Sequence, residues 1–225
     1  MKLTVFNGSP RGRNSNSSVL SKWIAEGAAG AERIDHEEVY LVKTKEHGLY
    51  AKKFAETDIA LIIFPLYTDS LPGIVAAFIE ELAPFTGKMQ GRKLGFVVHS
   101  GFPEACHSRY VEKYLVHLTE LLGADYMGTA VMGTSEPTRL MPESYQTKKR
   151  ERFAKLGESM IKEGTFDSVT LKELARPERL TDFTLLMYKF AVATRLPSMY
   201  FKSLLKKNNA LKDSFARPYV SENAN

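Results

Sequence analysis

One cysteine, Cys106, and one tryptophan, Trp23, stand in 225 residues. A single thiol excludes a disulfide within the chain and any multi-thiolate metal cluster, and it fits a reducing compartment. The five histidines show no H-E-x-x-H or comparable metal spacing, so no metal is assigned. Long hydrophobic runs are also missing: no segment approaches the roughly 18 uninterrupted apolar residues that a spanning helix needs. The opening MKLTVFNGSPRG turns polar too soon for a secretory signal. A cytoplasmic protein is expected.

What the chain does have is enough apolar material for a core. Hydrophobic residues make up 44% and charged residues 25%, which suits one large domain, or one domain with an extension. The net charge of +5 is unevenly placed. Between Met187 and Arg217, Lys189, Arg195, Lys202, Lys206, Lys207, Lys212 and Arg217 stand against Asp213 alone. That local excess of +6, set against +5 for the whole, leaves the remainder at −1. A near-neutral main body implies no general nucleic-acid role.

Short apolar runs alternate with helical periods. Leu3 to Phe6, Ile34 to Val42, Ile59 to Phe64, Leu94 to Val98 and Tyr126 to Met132 read as strands. Between them, Val19, Leu20, Trp23 and Ile24 predict a helix that Gly27 and Gly30 end. Val75, Phe78, Ile79 and Leu82 predict another, and Val111, Tyr114, Leu115, Leu118 and Leu122 a third. Phe153, Leu156, Met160 and Ile161 predict a helix after the last strand. This alternation gives an α/β fold with a parallel sheet covered on both faces, and five strands with a phosphate-type loop after the first suggest the order 2-1-3-4-5. Three polar loops, after strands 1, 3 and 4, then meet at the carboxyl end of the sheet, where such folds bind ligands. The sheet domain is expected over residues 1–164, with residues 165–225 as a helical basic extension.

The first of those loops, NGSPRGRNSNSS, precedes a helix whose first N–H groups and positive dipole end favour an anion. Ser9, Ser15 and Ser17 offer hydroxyls, Asn16 an amide, and Arg11 or Arg13 a charged fork. Neither G-x-x-x-x-G-K-[ST] nor G-x-G-x-x-G is present. The plainer reading is that these residues only cap the helix, although one capping side chain suffices for that.

NGSPR with a following SNS, then FPLYTDSLPG, then HSGFPE, resembles the NAD(P)H-dependent FMN reductase and iron–sulfur flavoprotein group of the flavodoxin-like superfamily, over about the first 160 residues. The resemblance implies a flavodoxin-like three-layer sandwich with FMN as cofactor and NAD(P)H as hydride donor. It implies that Ser9, Arg11, Asn16 and Ser17, with Ser15 alongside, hold the FMN phosphate. Pro65, Leu66, Tyr67 and Thr68 would lie along the isoalloxazine, and Ser100, Gly101 and Phe102 on its other side. A quinone, a nitro- or azo-aromatic, or free flavin is the implied acceptor, and a homodimer the implied assembly. Where iron–sulfur members carry a cysteine motif, this chain reads LVKTKEHGLYAKKFAE, which excludes the cluster.

Several residues have plainer readings. Tyr67 and Phe102 also suit loop packing, while Asp69 and Ser70 suit a helix cap with Pro72 in the first turn. Cys106 with His99 or His107 as base is weighed against a small buried thiol, and the buried thiol is preferred. Arg109, Glu112 and Lys113 read as a solvated helix face. In the extension, Tyr188, Val192, Leu196, Met199 or Tyr200, and Leu204 recur at helical spacing, with Pro197 opening a second helix. A dimer arm or lid is preferred there to a peripheral membrane contact. Two other functions stay open at this level: an electron-transfer flavoprotein without NAD(P)H activity, and a flavin-free module that binds a membrane or a partner.

Overall fold

A computed structural model describes residues 1–194 and 196–217. The strands are β1 (Lys2–Asn7), β2 (Asp35–Tyr40), β3 (Ile59–Pro65), β4 (Lys93–His99) and β5 (Asp125–Met132). All pair in parallel, in the order β2-β1-β3-β4-β5. The helices of this unit are α1 (Asn16–Ala31), α2 (His47–Glu56), α3 (Gly73–Glu80), α4 (Arg109–Leu122), α5 (Thr147–Lys162) and α6 (Ser168–Leu174).

Side-chain alternation along the central strand divides the core in two. On β3, Ala60, Ile62 and Phe64 face one layer and Ile59, Leu61 and Ile63 the other. The first layer closes over α2, α3 and α4, where Phe6 stacks on Phe78 with ring centroids 5.1 Å apart. The second closes over α1, α5 and α6, where Trp23 lies beside Phe153. A strand buried on both faces has no polar side to display, which is why β3 reads IALIIFP without alternation.

Three sequence expectations need correcting. First, Gly27 and Gly30 do not end α1, which runs to Ala31. Gly27 is a contact point instead: a Cβ there would lie 1.8 Å from the Ala154 carbonyl oxygen of α5. Gly157 of α5 answers it, since a Cβ there would lie 2.0 Å from the Ile24 carbonyl oxygen. The two helices meet backbone to backbone. Second, α2 was not foreseen as a helix. Third, the boundary expected at Gly164 falls inside the first compact unit, Met1–Arg179, and the second begins at Leu180. Phe166 and Leu174 are buried in the core, and Phe166 N–H donates to the Met127 carbonyl at 2.9 Å, so α6 stays with the sheet.

The second unit contains α7 (Asp182–Ala193) and α8 (Leu196–Lys207), which contact each other. Pro197 falls in the first turn of α8. The expected apolar stripe is thus divided between two helices. Arg195 lies outside the described residues, as do the side chains of Val192, Leu196 and Tyr200. Phe183, Leu186, Phe190, Met199 and Phe201 are exposed. Among the described residues no helix is long and apolar enough to cross a membrane.

Candidate cofactor site

Strand register brings the loops together. Pro65 pairs with His99 and His99 with Met132, so β3, β4 and β5 end level. The loops after β4 and β5 continue the pairing: Ser100 N–H donates to the Met132 carbonyl, Ser135 N–H to that of Ser100, and Thr134 N–H to that of Phe102, at 2.8–2.9 Å. This lacing gives the site a fixed wall.

The loop after β1 is shaped by Asn7. Its Oδ1 accepts from Ser9 N–H at 3.0 Å, while its Nδ2 donates to Ser18 Oγ and Glu38 Oε1, each at 2.9 Å. Gly12 N–H closes a turn onto the Ser9 carbonyl, with Gly12 at φ 58°. Ser15 is the N-cap of α1, its Oγ accepting from Ser18 N–H at 3.2 Å. The N–H groups of Asn16 and Ser17, the first of α1, have no acceptor within the helix.

Ser9, Arg11, Asn16, Pro65, Leu66, Tyr67, Ser100 and Gly101 line one cleft. Eight residues from three separate loops, named from sequence, thus converge. Four others do not line it. Ser15 is taken up as the cap. Ser17 is fully buried, with Oγ 2.8 Å from His99 Nε2. Thr68 stands at the tip of a tight turn, and Phe102, half exposed, lies against the His107 ring at 4.9 Å. The cavity volume of the cleft is about 40 Å3, enough for a phosphate-sized group.

His99, Ser135 and Glu136 also line the cleft, and sequence reasoning did not assign them there. His99 is buried and bridges Ser17 to Ser135, whose Oγ lies 3.0 Å from Nδ1. Burial first, then the positive charges of Arg11 and Lys149, push its pKa down to about 3. With both ring nitrogens engaged, it is not the base of a Cys106 nucleophile. His107 instead pairs with Asp69 at 3.1 Å and Glu104 at 3.6 Å. Glu104, Cys106 and His107 bring ligand atoms within 4.8 Å of one another, which is geometry only.

The loop after β3 is strained. Tyr67 and Ser70 exchange two backbone hydrogen bonds across Thr68 and Asp69, which have φ of 51° and 56°. Left-handed non-glycine residues cost on the order of 1 kcal/mol or more each, and such strain gathers at functional sites. The turn holds Tyr67 half exposed at the rim. It also replaces the expected cap: Asp69 and Ser70 form the turn, and Pro72 is the N-cap of α3, with no side-chain hydrogen bond. Arg109 is more than a solvated face, for it clasps Glu178 and Glu112, each at 2.6 Å.

The donor set fits the phosphate end of FMN. Arg11 is half exposed, and its carboxylate partner, Glu136, lies 4.0 Å away, at the limit of an ion pair. Its guanidinium can therefore turn to a dianion, joined by Ser9, the Asn16 amide and the first N–H groups of α1.

A family profile described as NADPH-dependent FMN reductase matches residues 1–136. Among solved structures, an NADH:FMN oxidoreductase in its apo form is similar at 15% identity and TM-score 0.57, covering 78% of this chain and 96% of that one. An FMN-dependent NADH-azoreductase from Bacillus anthracis str. Ames Ancestor, in complex with FMN, is similar at 14% identity and TM-score 0.56, covering 72% and 100%. A NAD(P)H:quinone oxidoreductase from Methanothermobacter marburgensis is similar at 13% and 0.57, covering 71% and 96%. At such identities these structures show a shared fold. No curated protein matches the sequence.

Proposed function

The chain belongs to the NADPH-dependent FMN reductase family and is an NAD(P)H-dependent flavin oxidoreductase; from that premise we propose that its acceptor is a quinone, a nitro- or azo-aromatic, or free flavin. Bound FMN would supply the hydride chemistry, taking hydride from the nicotinamide and yielding it to the acceptor. The protein's own part is to bind, orient and exclude water. Ser9, Arg11, Asn16 and the start of α1 hold the phosphate. Pro65, Leu66 and Tyr67 border one side of the ring, with Thr68 at the tip of the same turn, and Ser100 and Gly101 border the other. Ser17 acts from beneath, fixed through His99 to Ser135. The observation that carries this reading is the convergence of three loops on one phosphate-sized cleft with an available guanidinium in its lining. In the second unit, the exposed apolar residues of α7 and α8 serve as the arm through which two copies pair.

The test is the absorption spectrum of the purified protein reconstituted with FMN, followed by anaerobic addition of NADPH or NADH. Rapid bleaching, with recovery on adding a quinone or azo dye, is expected. A yellow protein that neither dinucleotide bleaches would be an electron carrier. A protein that takes up no FMN would be neither.

A further inference from the structure

Beyond the flavin cleft, the loop after β4 carries a second group of chemistry-bearing side chains. From Glu104 to His107 the chain reads E-A-C-H, and Glu104, Cys106 and His107 each bring one ligand atom to within 4.8 Å of the others. None of the three lines the cleft. A carboxylate, a thiol and an imidazole are three different donor types. That mixture suits Zn2+, whereas Mg2+ and Ca2+ take oxygen ligands.

Local structure explains how residues so near in sequence share one point. Ala105–Ser108 form a single turn of 3-10 helix, and Glu104 is its N-cap, with extended backbone. Positions three apart eclipse in such a turn, so Glu104 and His107 lie one above the other. Glu104 Oε2 and His107 Nε2 are 3.6 Å apart, too far for a hydrogen bond. Two ligands at 2.0–2.3 Å from one tetrahedral ion stand about 3.3–3.8 Å apart. The pair therefore already has the separation of ligands sharing a metal. The Cys106 sulfur has at most about 1 Å left to close, which rotation about its one side-chain bond supplies. The turn itself is pinned, since Ala105 and Cys106 N–H donate to the Pro177 and Glu178 carbonyls at 3.0 and 3.1 Å.

A residue from another loop completes the arrangement. Asp69, in the turn after β3, places Oδ1 3.1 Å from His107 Nδ1. A metal-binding imidazole almost always donates its other ring N–H to a carboxylate, a carbonyl or water, which fixes the tautomer and the ring plane. Here Nδ1–H donates to Asp69, and the lone pair is left on Nε2, the nitrogen that faces Glu104. The Phe102 ring, 4.9 Å away, supports the same plane. Glu104 and His107 are a quarter to a third exposed, so water reaches the remaining coordination position.

We propose that Glu104, Cys106 and His107 bind one Zn2+ ion, with Asp69 orienting His107 and a water molecule as the fourth ligand. On binding, the Cys106 S–H bond breaks, its proton passes to solvent, and the thiolate electron pair forms the bond to zinc, with no change of oxidation state. The ion ties the loop that carries Tyr67 to the loop that carries Ser100 and Gly101. Its ligands lie outside the cleft, so the site stands independently of the oxidoreductase reading.

The test uses Co2+ as a coloured substitute for Zn2+. It is titrated into the full-length, FMN-loaded protein without a histidine tag, and the spectrum of the FMN-loaded protein alone is subtracted. Saturation at one equivalent is expected, with a near-ultraviolet thiolate-to-cobalt band and the intense visible absorption of a four-coordinate ion, both lost on adding Zn2+. Cys106→Ser should abolish the near-ultraviolet band. Asp69→Asn, a change that a left-handed turn tolerates, should keep the band and weaken Co2+ binding by about tenfold or more. Absence of the band, its survival in Cys106→Ser, or the pale spectrum of a six-coordinate ion on surface carboxylates overturns the proposal. Should Cys106→Ser not fold, Asp69→Asn decides, and unchanged affinity there overturns it as well. Failure of the protein to take up FMN would sink the oxidoreductase reading instead, and the same titration without flavin would still decide the metal site.

Discussion

Residue types in the first loop suggest an anion site, and Ser9, Arg11 and Asn16 line the cleft. What type alone does not reveal is which hydroxyls are already spent. Ser15 caps α1 and Ser17 meets His99, because helix start and strand register, not composition, decide their neighbours. From sequence His99 reads only as a candidate base for Cys106; its place between Ser17 and Ser135 depends on β3, β4 and β5 ending level. It carries a pH prediction. The folded protein keeps His99 neutral, with a pKa lowered to about 3, while an unfolded histidine titrates near 6.5. Below that value the unfolded chain binds a proton that the fold refuses. Its contribution to stability is therefore full above about pH 6.5 and is lost progressively as pH falls toward 3, by at most about 1.4 kcal/mol per unit. Urea titrations of the apoprotein at about pH 7 and pH 5 should show a smaller acid-induced loss in His99→Gln than in the parent. Equal losses would mean that His99 charges in the fold.

Elements with a strong apolar period were plain from sequence. Val111, Leu115, Leu118 and Leu122 define the buried face of α4, and Gly123 ends it at φ 73°. The α2 helix escaped notice although His47, Tyr50, Ala51 and Phe54 keep the same spacing, because His and Ala at two of the four positions weaken the signal. Gly27 of α1 differs from its sequence reading for another reason: a glycine that permits close helix approach looks identical, in sequence, to one that stops a helix. The difference can be measured. Gly157→Ala gains roughly 1 kcal/mol of helix propensity but sets a methyl group against the Ile24 carbonyl, and overpacking of that kind costs about 1–3 kcal/mol or more. The steric term should win because its obstacle is backbone. A lower Tm is expected; an unchanged or higher one would show that α1 and α5 can separate freely.

For the molecule as a whole, the parallel sheet was legible from strand alternation and its order from the loop after the first strand, whereas the boundary between units was not. Phe166 and Leu174 look like ordinary apolar residues after a polar break, and only the core beneath β5 shows that they belong to the first unit. A chain ending at Arg179 should therefore fold and bind FMN as the full chain does. It should also lose the dimer mass in sedimentation if α7 and α8 form the pairing arm, and a truncated protein that still sediments as a dimer would place that interface on the first unit. The central claim is narrower than either point: the start of α1 and Arg11 grip a phosphate. It is tested most directly by titrating the apoprotein with FMN and with riboflavin, which differ only in that group, and following flavin fluorescence. FMN should bind at least about a hundredfold more tightly, since two charge-assisted contacts contribute about 3 kcal/mol or more, and Arg11→Ala should remove much of the difference. Equal affinities for the two flavins would contradict the account.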